Sequence, residues 1–470
     1  MIRLVIGDHL PLSRVSQTIK QIVWDSSKLI NHHLLICGKS GSGKSYLLLK
    51  MIGALAHQKI RVHVIDSHED LSICDEDLEF KAVFSTRTMY GFNPLEVNTN
   101  EHSGGVRITI NNFIVLIEAI ERKLQVRQKN ILRSLLEELY ENRGIVDDDP
   151  STWKKRRLSS SLRSELIASG RRRELINYYP VLDDLIDLGY AKFNSIYGVG
   201  DWDSPDAMRA ATAIKNLRET FKALSKLRAA ADAKDQASLS GEQRKIDQDQ
   251  EKFRSDAKDS FSSFVDNMVS GREMSDLINY EGRESFSSIL IRLKDLKSSG
   301  IFSGNIPPFD TSKTVWNYNI ANLPAPERKA LVYYLMSKIF EKRISLGHQS
   351  DVVEIIVVDE AHRYFSPDSE NIFNVIAKEA RKYGLGLWCA SQSASHFSDD
   401  FVSTVATKCL LRTDNVKWPQ IEKSWGISQS VLSSIISKKT CAIYMDASDS
   451  SDHTFKIASV EGKPRLQAVS

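Results

Sequence analysis

The run Gly38-Lys39-Ser40-Gly41-Ser42-Gly43-Lys44-Ser45 constrains this chain more than any other stretch. It matches G-x-x-x-x-G-K-[ST] at every position, and the apolar run Leu34 to Cys37 leads into it. After it, Leu48, Met51, Ile52 and Leu55 recur at helical spacing, so Tyr46 to Ala56 reads as a helix. Val62-His63-Val64-Ile65-Asp66 reads as a second strand ending in a carboxylate. Strand, glycine loop, helix and strand make a βαβ unit, which implies a parallel sheet. The glycines let the backbone wrap around an anion in conformations that a Cβ would block. The loop amides and the helix N-terminus then offer partial positive charge to phosphate. Gly38, Ser40, Gly41, Ser42, Gly43, Lys44, Ser45 and Tyr46 are therefore candidate ATP-binding residues. Lys44 is expected to reach the β- and γ-phosphates, and Ser45 to hold Mg²⁺. The alternative, a chance match in a glycine-serine loop, is weakened by the flanking strand and helix.

The reaction depends on the second half of the site. Ile355-Ile356-Val357-Val358-Asp359-Glu360 is an apolar strand ending in two acids, the form of a Walker B segment. Asp359 is the candidate to orient Mg²⁺ through its water shell, and Glu360 to activate the attacking water. A strand whose terminal acids merely cap the next element is the alternative. Two adjacent acids favour hydrolysis coupled to motion over phosphoryl transfer to a small molecule. Gln392 ends the next strand, Leu387 to Gln392. Neighbouring parallel strands bring their C-terminal ends to one ligand edge, so Gln392 is a candidate γ-phosphate sensor. A surface amide without a role competes with that reading. Arg381 and Arg412 flank this unit and are candidates for an arginine finger supplied to a neighbour's site. Asp66-Ser67-His68-Glu69-Asp70 also falls at the ligand edge, where His68 and Glu69 either touch nucleotide or form a polar loop.

Between these halves the pattern is helical from about Asn111 to Leu296. Met208, Ala211, Ile214, Leu217, Phe221, Leu224 and Leu227 form a narrow apolar stripe. Ala229 to Ser255 has few apolar anchors and reads as an exposed helix or a connector. Strand patterns return at Val352 to Asp359, Lys408 to Arg412 and Cys441 to Met445, with a helix over Glu370 to Lys382. The expected fold is α/β, a RecA-like P-loop core with a mainly parallel sheet and a large all-helical insertion. Its parts are residues 1–110, the insertion 111–305, and residues 306–470. Five cysteines without C-x-x-C spacing argue against a disulfide framework or a structural zinc site. The N-terminus lacks a signal-peptide pattern, and no apolar run approaches the length of a membrane span, so a cytoplasmic location is expected.

Several segments together resemble one group of proteins. They are Gly38 to Ser45, Val64 to Glu69, Gly91 to Leu95, Val357 to Tyr364, Ala380 to Gly386 and Ala390 to Gln392. In this order they are similar to the HerA/FtsK superfamily of DNA-pumping ATPases, and to HerA in particular. The resemblance implies a homohexameric ring, ATP sites at subunit interfaces, and double-stranded DNA in a central channel. It also implies that Arg381 acts across the interface, and matches Arg412 to a family arginine less securely. Only 37 residues precede the P-loop, too few for the N-terminal barrel usual in HerA. HerA-like ATPases of this compact kind are associated with anti-phage systems, beside a nuclease or an NAD-consuming effector.

A net charge of +3 on 470 residues does not diagnose nucleic-acid binding, so any such claim rests on local patches. Lys154-Lys155-Arg156-Arg157 and Arg171-Arg172-Arg173 are basic runs suited to phosphate, and Trp153 beside the first is suited to stacking on a base. A solvated helical face is the more common explanation of such runs. Two function classes follow: a DNA translocase or helicase working with an effector, and a ring ATPase that scaffolds an effector or moves protein.

Overall fold

Apolar runs at both ends of the chain make one sheet. The computed structural model describes residues 2–10, 20–85, 87–120, 123–197, 213, 216–223, 236–266, 279–280, 282–448 and 454–460. Chain contacts divide it into two compact units. The first comprises Met1–Lys123, Ile145–Val181 and Ser299–Ser470, and the second Leu124–Gly144 and Leu182–Ser298.

The first unit holds an 11-stranded sheet. Its strands are β1 (Arg3–His9), β2 (Gln21–Asp25), β3 (Leu34–Cys37), β4 (Arg61–Asp66), β5 (Glu79–Val83) and β6 (Val315–Asn319). The rest are β7 (Glu354–Val358), β8 (Leu385–Ser391), β9 (Thr407–Leu410), β10 (Thr440–Met445) and β11 (Lys456–Ser459). They lie in the order β2-β1-β11-β10-β9-β3-β8-β7-β4-β6-β5. From β9 to β5 every pairing is parallel, whereas β10, β11, β1 and β2 extend the sheet antiparallel. The central strands β3, β7 and β8 are buried along their whole length, which explains their continuous apolar sequences.

The helix Lys44–His57 lies on one face of this sheet. Its Leu48, Met51, Ile52 and Leu55 pack with Ile36, Val64, Val357 and Ala390 in one core. Its buried side chains recur every three to four residues, the stripe read from the sequence. On the other face, His63 and Tyr318 border a cavity that is also lined by Leu335 and Ile339 of the helix Ala325–Ser345. Strand alternation in β4 explains how adjacent residues serve both layers.

In the second unit the helices Val126–Asn142, Leu182–Tyr197 and Arg283–Ser298 pack together. Gly189 permits a close approach, because a Cβ there would lie 2.6 Å from Leu290 Cδ2. A buried ion pair joins Arg143 to Asp184 at 2.5 Å within this unit. Gln236–Asp266 is a helix, so that part of the low-hydrophobicity stretch is helical. Most of the stripe from Met208 to Leu227 lies outside the described residues.

The contacts group the residues differently from the 111–305 insertion read from sequence. The helix Val106–Ile120 and the segment Ile145–Val181 belong to the first unit. Contrary to the stacking role expected from sequence, Trp153 is a packed, buried residue. Its ring is 4% exposed, packs 3.1 Å from where a Gly105 Cβ would stand, and donates from Nε1 to the Val146 carbonyl at 2.8 Å. It has no free face for a base. Neighbouring Arg157 is ion-paired with Glu96 at 3.1 Å, and Arg171 with Glu165 at 3.0 Å.

Candidate functional site

The P-loop connects β3 to the helix Lys44–His57, with Gly41 and Gly43 at φ +72° and +104°. Those left-handed values fit glycine and strain any residue with a Cβ. Gly38 is required for a different reason, since a Cβ there would meet Ser42 Oγ at 2.6 Å and Leu411 Cβ at 2.8 Å. Three neighbours brace the loop. Gly38 N donates to the Ser391 carbonyl at 3.1 Å, Lys39 N to that of Arg412 at 2.9 Å, and Lys438 N to that of Ser42 at 3.0 Å. Lys44 is buried and donates from Nζ to the carbonyls of Gly38 at 2.9 Å and Lys39 at 3.4 Å. Its ammonium thus bridges the loop's own backbone at the position where phosphate is expected.

Strand order brings the second half to the same edge. β8 lies between β3 and β7, with Cys37 opposite Ser391 and Val358 opposite Cys389. Asp359, Glu360 and Gln392, one or two residues past those strands, therefore converge beside the loop. Gln392 Nε2 donates to Glu360 Oε1 at 3.2 Å. Glu360 adopts φ +48°, a left-handed value unusual for a side chain of this size, and is 6% exposed. Its Oε2 lies 3.2 Å from His362 Nδ1 but out of line for a hydrogen bond, and it has no hydrogen-bond partner among the described residues. Ser42 Oγ is likewise buried without a partner among them.

Sequence reasoning named some neighbours and missed others. Ser45 Oγ donates to Asp70 Oδ2 at 2.7 Å, a contact no motif announces. His362 and His396 are a second omission. Their rings lie 4.4 Å apart, and Ser391 Oγ is 3.0 Å from His396 Nδ1 and 3.4 Å from His362 Nδ1. Burial lowers both imidazole pKa values, which keeps the pair neutral at physiological pH. The signal for Asp70 was its place at a strand's C-terminal edge, that for His362 its place in the Val357 to Tyr364 segment, and His396 had none. Tyr46 is half exposed beside the loop, consistent with an open approach to the site.

The two arginines part company. Arg412 follows β9 directly beside its own P-loop, and its guanidinium faces the Ile435 carbonyl and Asn415 Oδ1, each at 3.4 Å. Arg381 lies in a short 3-10 turn, Ala380–Tyr383, before β8, where its charge bears on His32. β8 spans roughly 20 Å at ~3.3 Å per residue, so Arg381 is at the opposite sheet edge and does not reach its own P-loop.

Burial, followed by the charges of Glu360, Asp70 and Asp66, pushes the Asp359 carboxyl up to about 7. The folded chain therefore holds a proton that the unfolded chain loses near its ordinary value of 3.8. That contribution to stability is full below about pH 4 and is lost as pH rises through 7. Asp359→Asn is expected to raise the melting temperature of the nucleotide-free protein by a few degrees. The gain should grow between pH 5 and 7 and level off above, and a scanning-calorimetry difference that stays flat with pH would contradict this.

The family model described as "Helicase HerA, central domain" matches residues 5–307, well over half the chain. The matched span includes the P-loop and the His68 segment, but not Asp359, Glu360 or Gln392. The DNA double-strand break repair helicase HerA of Pyrococcus furiosus is 32% identical over 113 residues. That alignment covers 20% of this chain and 20% of the relative, so the chain spans about a fifth of the curated relative it matches. The structure of VirB4 from Thermoanaerobacter pseudethanolicus superposes with a TM-score of 0.59 at 14% identity, covering 99% of this chain and 96% of that one. At that identity it shows a shared fold, that of a P-loop core with a large, mostly parallel sheet. No helix of the described residues is long and apolar enough to cross a membrane.

Proposed function

We propose that this chain, which belongs to the HerA central-domain family, hydrolyses ATP at the edge just described and uses the energy to move double-stranded DNA through a homohexameric ring. The observation that carries the hydrolytic part is the convergence of Lys44, Ser45, Asp359, Glu360 and Gln392 across three adjacent parallel strands. The residues present fit Mg²⁺. Glu360 Oε2 and Ser42 Oγ are buried polar atoms with no hydrogen-bond partner among the described residues, and the crowded acids around Asp359 call for a cation. Ser45 and, through water, Asp359 would hold the ion, which neutralises phosphate charge when bound.

In this reading Lys44 leaves the Gly38 carbonyl for the β- and γ-phosphates, and the loop amides cradle the anion. Glu360 takes a proton from the attacking water, while Gln392 holds one carboxylate oxygen and positions the other. Arg381, too far from its own P-loop, is the residue available to complete a neighbouring subunit's site. Arg412 braces its own loop and has a weaker claim to that role. Ring assembly, DNA as substrate, and an effector such as a nuclease or NAD-consuming enzyme in phage defence rest on the family likeness.

The test joins two measurements. Native mass by size-resolved scattering is expected to show a six-subunit assembly with ATP, and duplex DNA is expected to bind it and raise kcat. An assembly that hydrolyses ATP yet neither binds duplex nor responds to it would sink the DNA reading and leave a ring that serves a protein partner.

A further inference from the structure

We infer that the nucleotide-free site is also a seat for one zinc-class divalent cation, held by His68, Asp359 and Glu360. One donor atom from each residue lies within 4.8 Å of the others. Asp359 and Glu360 are 4% and 6% exposed, and Glu360 Oε2, 3.2 Å from His362 Nδ1, accepts no hydrogen bond from the described residues. An unsatisfied buried carboxylate oxygen costs free energy that a cation relieves. Asp66 and Asp70 add negative charge around it.

The donor set determines which cation. Mg²⁺ takes oxygen ligands and keeps several waters, so an imidazole gives it little. One imidazole with two carboxylates suits Zn²⁺ or Co²⁺, with the fourth position left to water. Bonds of ~2.0–2.2 Å place tetrahedral donors roughly 3.3 Å apart, so separations of up to 4.8 Å must close by up to about 1.5 Å. His68 is exposed at the end of β4 and is the member able to swing. This seat differs from the Mg²⁺·ATP arrangement in using His68 and not Ser45. Both share Asp359 and engage Glu360, so the two occupancies exclude each other. That exclusion rests on the ATPase reading, whereas the seat itself does not. Its consequence is a resting state in which a zinc-class ion holds the two carboxylates needed for turnover.

The full chain, free of nucleotide, is titrated with Co²⁺ and followed by its visible absorption. One equivalent is expected to bind with the bands of a tetrahedral nitrogen-oxygen site. His68→Ala should weaken binding tenfold or more, and excess Mg²⁺ with a non-hydrolysable ATP analogue should abolish the bands. Unchanged Co²⁺ affinity in His68→Ala would overturn the seat. So would loss of the bands in His362→Ala with retention in His68→Ala, because the nitrogen would then be that of His362. Calorimetry of the Mg²⁺·analogue alone separates the two ideas. If the analogue does not bind, the ATPase reading fails; if it binds normally while His68→Ala keeps full Co²⁺ affinity, only the seat fails.

Discussion

Glu360→Gln is expected to bind ATP and turn it over on the order of 10²–10⁴-fold more slowly, the range lost with a positioned general base. The change is nearly isosteric and keeps an oxygen for the Gln392 amide, which lies 3.2 Å from Glu360 Oε1. It removes the carboxylate that would accept a proton from water. It also removes the charge that ranks next after burial in raising the Asp359 carboxyl. Asp359 should then ionise at lower pH, and Mg²⁺·ATP binding should hold or tighten. Single-turnover kinetics beside equilibrium nucleotide binding separates the two effects, and normal turnover would remove Glu360 from its role. The same variant tests the arginine: rings mixed from Glu360→Gln and Arg381→Ala subunits regain activity only if Arg381 acts across the interface.

Lys44→Ala should lose nucleotide itself. In the structure Lys44 is 8% exposed and its ammonium is bonded to two loop carbonyls, so it is already held where phosphate enters. Two charge-assisted contacts to phosphate at about 1.5–3 kcal/mol each correspond to binding weaker by on the order of 10²–10⁴-fold. Loop geometry should survive, because Gly38, Lys39 and Ser42 keep their backbone bonds to Ser391, Arg412 and Lys438. Calorimetric titration with an ATP analogue reads the loss, and an affinity within a fewfold of the parent would show that Lys44 does not engage the phosphates.

The two substitutions act on residues that were legible for one physical reason. A phosphate loop and its flanking strand and helix are short-range structures, so spacing and side-chain type suffice to announce them. β3 spans the four residues read from sequence, and the helix after the loop gains only Lys44, Ser45 and His57. β7 and β8 stood out because burial on both faces demands continuous apolar runs. The strands with mixed faces, β1, β2, β5, β6 and β11, escaped notice, since partial exposure breaks the continuous apolar run that marks β3, β7 and β8.

The sequence by itself determined the chemistry offered: a Gly-rich loop, Lys44, Ser45, two acids after an apolar strand, and a glutamine after the next. It also determined the parallel βαβ start. Tertiary structure alone decided that β8 lies between β3 and β7, which sets Gln392 against Glu360. It paired Asp70 with Ser45, joined His362 to His396 through Ser391, buried Trp153, and set Arg381 at the edge away from its own loop. Apart from the burial of Trp153, which packs at Gly105 and Val146 outside the strands, these depend on which strands become neighbours. Strand neighbourhood is fixed by the burial of the whole sheet, and no local spacing encodes it.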